Sequence, residues 1–240
     1  MAFTEEGLRR VAGVSGDERR APHAEEEEAA PPGVRLPLQP RSRDSFERMI
    51  SATHDLIAES GLEGATVQSI LQRSGIGSGS FYARFDGRDA LLAYLALRFW
   101  SDAEEGWAGV LSPSRWAAAG PKEIVTQFTR MAVVWMHAHG ALLRAFLIHA
   151  MTHAEYDLLD RTAELDNTIA DHLIRLLSLR AEEFTHSEPD DAVRLATLQV
   201  FATLRSRFIF AWGDRPDGIE DQHLAGELAV IFLRYLGSDD

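Results

Sequence analysis

Between residues 44 and 95 the apolar positions fall in short helical runs separated by small residues. Phe46, Met49, Ile50, Thr53, Leu56 and Ile57 recur at three- and four-residue steps, one face of an amphipathic helix that ends at Ser60-Gly61. Val67, Ile70 and Leu71 mark a shorter second stripe. Thr66 is placed to cap its start, and Gly75 stands where its end calls for left-handed backbone. Ile76 plugs the angle to the next helix, while Phe81, Phe85 and part of Tyr82 turn back into a core. Ser78 is the expected N-cap of that helix, with Gly77 the other possible boundary. Asp86-Gly87-Arg88-Asp89 opens a further helix carrying Ala90, Leu91, Leu92 and Leu95.

The rest of the chain also reads as helices. The fourth spans about 88–110, and Leu111-Ser112-Pro113 breaks it. Pro121 suits the first position of a helix reaching about 139, and Gly140 separates it from another reaching 153. A long helix follows at about 155–184, with Leu158, Thr162, Leu165, Ile169, Leu173, Leu176 and Leu177 in register. Pro189 begins a helix to about Trp212, residues 213–218 form a loop, and a last helix carries Leu224, Leu228, Ile231, Phe232 and Tyr235. No strand pattern or internal repeat competes. The expected fold is all-α: a three-helix head and six helices behind it.

The second and third helices have the form of a helix-turn-helix. Ser78, Gly79, Ser80 and Arg84 lie on the outward side of the third helix, with the Tyr82 hydroxyl near its edge. Small residues there let a helix end approach DNA closely, and a helix N-terminus favours phosphate. An ordinary helical hairpin has similar spacing, so the flanks matter. With its Ala-Glu-Ser-Gly-Leu-Glu-Gly-Ala-Thr-Val run (58–67), Ser-Gly-Ile turn (74–76), Gly-Ser-Phe-Tyr segment (79–82), and Phe85 followed by Arg88-Asp89-Ala90-Leu91, the chain resembles the tetracycline-repressor (TetR) family of bacterial transcription regulators. The resemblance covers about residues 44–95. Ser78 stands where family members often carry lysine, and Ala83 and Arg84 where an aromatic or histidine is common.

The resemblance implies a DNA-binding domain at 43–87 and a ligand-binding and dimerisation domain at 88–240. Ser80 and Arg84 are the expected base contacts; Thr66, Ser78, Tyr82 and Arg88 are expected to meet phosphates. Gln68, Ser69 and Gly79 complete the DNA-binding set. It also implies that the last two helices pair with their symmetry mates as a four-helix bundle. Those helices carry apolar residues on more than one face (Leu195, Leu198, Val200, Phe201, Leu204, Phe208, Ile209 and Trp212 on the first), as expected of helices buried by more than their own domain. A thick monomeric core is the other reading. Paired recognition helices about one DNA turn apart would read a palindromic, double-stranded operator.

Charge refines this picture. The net charge of −13 argues against DNA until its distribution is seen. Residues 41–100 hold seven Arg and seven acids, whereas 101–240 hold twelve basic and twenty-two acidic residues. The acidic excess therefore lies mostly outside the head. Residues 1–42 contain Glu25-Glu26-Glu27-Glu28, Pro31-Pro32, Pro37 and Pro40 with few large apolar side chains, and are expected to be a disordered extension. Its end, with Arg41 and Arg43, is either a solvated linker or an arm reaching DNA. No signal peptide or uninterrupted run of 18 apolar residues is visible, and no membrane association and a cytoplasmic location are expected. The absence of cysteine removes disulfides, thiol catalysis and Cys-based zinc sites.

Trp107, Phe128, Met131, Trp135, His139, Phe146 and His149, with Asp166, Ile169 and His172 opposite, would line a chamber for a small hydrophobic effector if the family arrangement holds. The same residues equally describe a packed core. His149 and His153 share a helix face, but no third ligand is fixed nearby, so no metal and no cofactor are expected. Asp166 and His172, six apart, are not expected to touch. No nucleophile elbow, phosphate loop or paired acid and base is present, so no enzymatic activity is expected. The reading is a homodimeric repressor released from its operator by a small hydrophobic molecule. The alternatives are a DNA-binding regulator without an inducer and an all-α enzyme or carrier.

Overall fold

Helix α1 (Pro40–Gly64) begins with proline at its first turn and buries the stripe Phe46, Met49, Ile50, Ala52, Thr53, Leu56 and Ile57. Gly61 interrupts it with φ 68°, so the expected end at Ser60-Gly61 survives as a break within the element. The structure, a computed structural model, describes residues 30–152, 158–210 and 218–238. By packing they form two compact units: 30–101 with 141–152, and 102–140 with 158–210 and 218–238.

In the first unit α1 is followed by α2 (Val67–Ser74), α3 (Ser78–Tyr82) and the start of α4 (Arg88–Val110). Its core is aromatic. Phe46 stacks on Phe85 at 5.1 Å between centroids and meets Tyr94 edge-on at 5.0 Å, and Phe81 lies 5.6 Å from Phe85. Such ring pairs add about 0.5–1.5 kcal/mol each beyond the area they bury. They anchor the C-terminal end of the short α3, which is too short to hold itself as an isolated helix.

Residues 30–39 were expected to be disordered, and here the structure differs. Val34 forms an isolated antiparallel bridge with Phe85. The Arg35 N–H donates to the Arg84 carbonyl at 2.8 Å, and the Asp86 N–H donates to the Gly33 carbonyl at 2.9 Å. Backbone pairing needs no large apolar side chain, so composition carried no sign of it. The helix also starts at Pro40, inside the expected extension. Residues 1–29 lie outside the described residues.

The second unit contains the rest of α4, most of α5 (Pro121–Thr152), α6 (Leu158–Leu177), α7 (Pro189–Arg205) and α8 (Asp221–Leu236). Among the described residues there are eight α-helices and no strands, so five follow the head rather than six. The difference is Gly140, which does not end a helix but lies buried within α5. A Cβ there would sit 3.2 Å from the Phe208 carbonyl oxygen and 3.3 Å from its Cβ. The glycine thus serves close approach, not termination. The helix expected at 155–184 is shorter, giving way to a 3-10 turn at Ser178–Glu183, and α7 passes into a π-helical turn at Ser206–Phe210. Trp212 and most of the expected 213–218 loop lie outside the described residues. Pro121–Ala150 has the length and hydropathy of a membrane-crossing helix, but 61% of that window is buried within the fold. A core helix of this length has the same signature.

Candidate nucleic-acid interface

The turn between α2 and α3 is built by backbone chemistry. Thr66 accepts from the Ser69 N–H at 3.1 Å, capping α2 as its sequence suggested. The Ser69 hydroxyl lies 2.6 Å from the Gly64 carbonyl and 2.9 Å from that of Thr66. Gly75 closes the helix in the left-handed region at φ 67°, with its N–H donating to the Leu71 carbonyl at 3.0 Å. Ile76 is buried and fixes the angle.

The tip of α3 is open. Gly77, Ser78, Gly79 and Ser80 are all exposed, and a Cβ added at Gly77 or Gly79 would meet nothing within 4 Å. The N-cap is Gly77, not Ser78, and no side chain caps the helix. Ser78 is therefore the first helical residue, and its hydroxyl points from the helix itself. Tyr82 is 55% exposed beside buried Phe81, and Gln68 is exposed on α2. Gln68, Ser78, Gly79, Ser80 and Tyr82 are thus solvent-facing members of one helix-turn-helix.

The arginines depart from expectation. Arg84 lies past the end of α3 and is half-buried; its Nη1 donates to the carbonyls of Leu36 at 3.3 Å and Arg35 at 3.5 Å. Arg88 donates through Nε to the Ala65 carbonyl at 2.8 Å and through Nη2 to that of Leu62. It fixes the carbonyls at the end of α1, a positioning part its sequence context did not suggest. Arg73 pairs with Glu59 at 2.5 and 2.9 Å, and the hydrogen bond holds the Glu59 carboxyl below its usual range. Arg43 donates to the Pro37 carbonyl at 3.3 Å, and Arg41 is exposed.

The expected effector-binding residues fall in both units. Trp107, Phe128, Met131, Trp135, His139, Asp166, Ile169 and His172 belong to the second unit, and Phe146 and His149 to the first, where Phe146 meets Phe99 at 5.6 Å. In the second unit Trp107 contacts Phe128, Trp135 and Phe201 at ring separations of 5.9, 6.3 and 6.1 Å, and Phe128 contacts Phe232 at 6.1 Å. Trp107 is fully buried and its indole Nε1 has no hydrogen-bond acceptor. Asp166 pairs with Arg205 at 2.7 and 3.1 Å; burial raises its pKa against the pull of that guanidinium. Arg205 was not anticipated, because 39 residues separate the pair and no local spacing links them. His172 lies 2.8 Å from Arg175 through Nδ1, and its pKa is lowered by burial first and by Arg175 second. Among the described residues no cluster of three or more metal-ligating side chains occurs. His153 lies outside them.

Residues 49–95 match the model of the bacterial regulatory proteins of the tetR family. No curated protein matches the sequence at a significant level. Among solved structures, Salmonella enterica GusR superposes with a TM-score of 0.57 at 16% identity, covering 83% of this chain and 98% of its own. A bacterial regulatory protein in the tetR family from Rhodococcus RHA1 gives 0.58 at 14% identity, covering 82% and 98%. At such identity the two structures speak for the fold. The sequence match falls on the segment that carries the open turn: residues 49–95 are a segment of the tetR-family type, set inside an all-α fold shared with both structures.

Proposed function

We propose that the protein is a homodimeric transcriptional repressor that binds a palindromic DNA operator through residues 66–84 and is released by a small hydrophobic effector. The observation that carries this reading is the open tip Gly77–Ser80, presented to solvent by a head whose aromatic core is closed beneath it. Ser80 and Arg84 are assigned to bases. Thr66, Gln68, Ser69, Ser78, Gly79, Tyr82 and Arg88 are assigned to backbone positioning, which sets register without reading sequence.

Dimerisation is assigned to α7 and α8. Leu195, Leu198, Val230, Ile231 and Tyr235 are exposed there, and a groove lined by Ala196, Gln199, Thr203, Leu228 and Ile231 runs between the helices. Their exposed apolar residues form helical stripes, which suits a second copy of the same two helices. The effector reading is supported by Trp107. A fully buried indole N–H without an acceptor costs about 1–3 kcal/mol, and an apolar effector offering a carbonyl or ether oxygen would offset that cost. The interlocked rings around it favour the second reading, a regulator whose core is already full.

Selection from random duplexes tests the function. Enrichment of a palindrome, with affinity falling as salt rises by a log–log slope of about 0.9 per phosphate contact, is the expected result. Binding that is indifferent to sequence and salt contradicts it. A thermal-shift screen of apolar small molecules separates the two readings of the core. The effector reading requires a hit that also weakens operator binding, by roughly five- to 150-fold for a coupling of 1–3 kcal/mol.

A further inference from the structure

We propose that residues 33–36 form a strap that sets the position of the Arg84 guanidinium and thereby the base preference of the protein. The inference rests on the DNA-binding reading above and deepens it by naming what controls one of its two base-contacting residues.

The strap is held at Arg84 and at the two residues that follow it by backbone pairing. The Arg35 N–H donates to the Arg84 carbonyl at 2.8 Å, Val34 bridges to Phe85, and the Gly33 carbonyl accepts from the Asp86 N–H at 2.9 Å. The contact is returned by the side chain, since Arg84 Nη1 reaches the carbonyls of Arg35 and Leu36. Backbone and guanidinium of the same residue are thus fixed by the same short segment. An arginine side chain otherwise carries about 2 kcal/mol of rotamer entropy, so a tethered one meets DNA with less to lose. Tethering through Nη1 also restricts which direction the rest of the guanidinium fork faces, and fork direction decides which base edge it can pair with.

Gly33 shows that the fit is close. Its φ is 81°, and a Cβ there would stand 3.1 Å from both the Asp86 Cβ and a carboxylate oxygen, and 3.3 Å from the Ala90 Cβ. A second fastening lies outside the ladder: the Arg35 guanidinium pairs with Asp86 at 2.5 Å, but both side chains are more than half exposed. An exposed pair of this kind holds little, so the backbone ladder is the part that positions Arg84.

The test is duplex selection with the full chain, four single variants and the double variants that join a strap change to Arg84→Ala. Arg84→Ala removes the reading group. Arg35→Pro removes the N–H that donates to Arg84. Gly33→Ala presses the strap away from Asp86, and serves in its place should Arg35→Pro fail to fold. Arg35→Ala keeps the backbone N–H and loses only the exposed ion pair. The expected result is that Arg84→Ala lowers discrimination at one or two operator positions by roughly five- to 150-fold. Arg35→Pro or Gly33→Ala should alter preference at those same positions by on the order of fivefold or more, and add nothing when combined with Arg84→Ala. Arg35→Ala should select the wild-type sequence. A purely structural strap would lower affinity and stability but leave preference intact, so a folded strap variant selecting the wild-type operator, while Arg84→Ala does not, overturns the proposal alone. A wild-type chain that enriches no sequence overturns the DNA-binding reading beneath it.

Discussion

Tyr82 and His172 show how single side chains divide the work. The Tyr82 ring leans on Phe81 at 5.2 Å while more than half of the residue faces solvent. A hydroxyl carried there is suited to a phosphate rather than a base edge. Tyr82→Phe is therefore expected to weaken operator binding by about ten- to 150-fold, the worth of one hydrogen bond to a charged group, with the selected sequence unchanged. A mobility-shift series on wild-type and scrambled operators checks this, and altered preference would contradict it.

His172 gives a pH signature. Burial and the neighbouring Arg175 guanidinium both disfavour its charged form, so its folded pKa lies below 6.5. On acidification the unfolded chain takes up this proton first. Folded stability therefore falls as pH drops through 6.5 toward the lower folded value, and this loss then levels off. Asp166 acts with the opposite sign, since its raised pKa lets the folded state take up a proton before the unfolded one. His172→Asn is expected to flatten the decline of the denaturation midpoint between about pH 7.5 and 5.5. An unchanged pH dependence would remove His172 from the account.

At the scale of elements, Gly140 carries the clearest prediction. Replacing a mid-helix glycine by alanine ordinarily gains roughly 0.5–1 kcal/mol. Here the new Cβ meets the Phe208 backbone at 3.2 Å, which offsets much of that gain. Gly140→Ala is expected to be nearly neutral, and Gly140→Leu to cost about 1–3 kcal/mol through overpacking. Chemical denaturation separates the two; a leucine variant as stable as the wild type would show that the π turn yields freely.

The same residue marks where sequence reading stops. Periodicity located α1, α2 and α4 and the turn at Gly75, because each is encoded within a few neighbouring residues. Glycine reads identically whether it ends a helix or admits a neighbouring backbone, so the sequence pattern divides at Gly140 a helix that is continuous. The strap at residues 33–36 and the Asp166–Arg205 pair depend on partners 39 to 51 residues away, with no local spacing to betray them. In the candidate interface, side-chain identity located the exposed tip, but the occupation of Arg84 and Arg88 by carbonyls required coordinates.

At the scale of the whole molecule, a short recognition element needs a second copy to read a palindrome. The exposed apolar stripes on α7 and α8 are the surface assigned to that pairing. Leu198→Glu places a charge on this surface at a residue 49% exposed, so the fold has little reason to object. The variant is expected to sediment as a monomer and to lose operator binding by at least an order of magnitude, as expected when a bivalent contact becomes univalent. A dimeric Leu198→Glu variant would direct the search for the interface elsewhere.

Gly79 offers the most direct measurement of the central claim. It is exposed at the tip of α3 with nothing within 4 Å of an added Cβ, so Gly79→Tyr should leave the melting temperature unchanged. If that tip seats in a DNA groove, the added ring blocks close approach, and binding to the selected operator should fall at least 100-fold, in line with a buried contact worth roughly 3 kcal/mol. A folded Gly79→Tyr variant that binds the operator as tightly as the wild type would contradict the account.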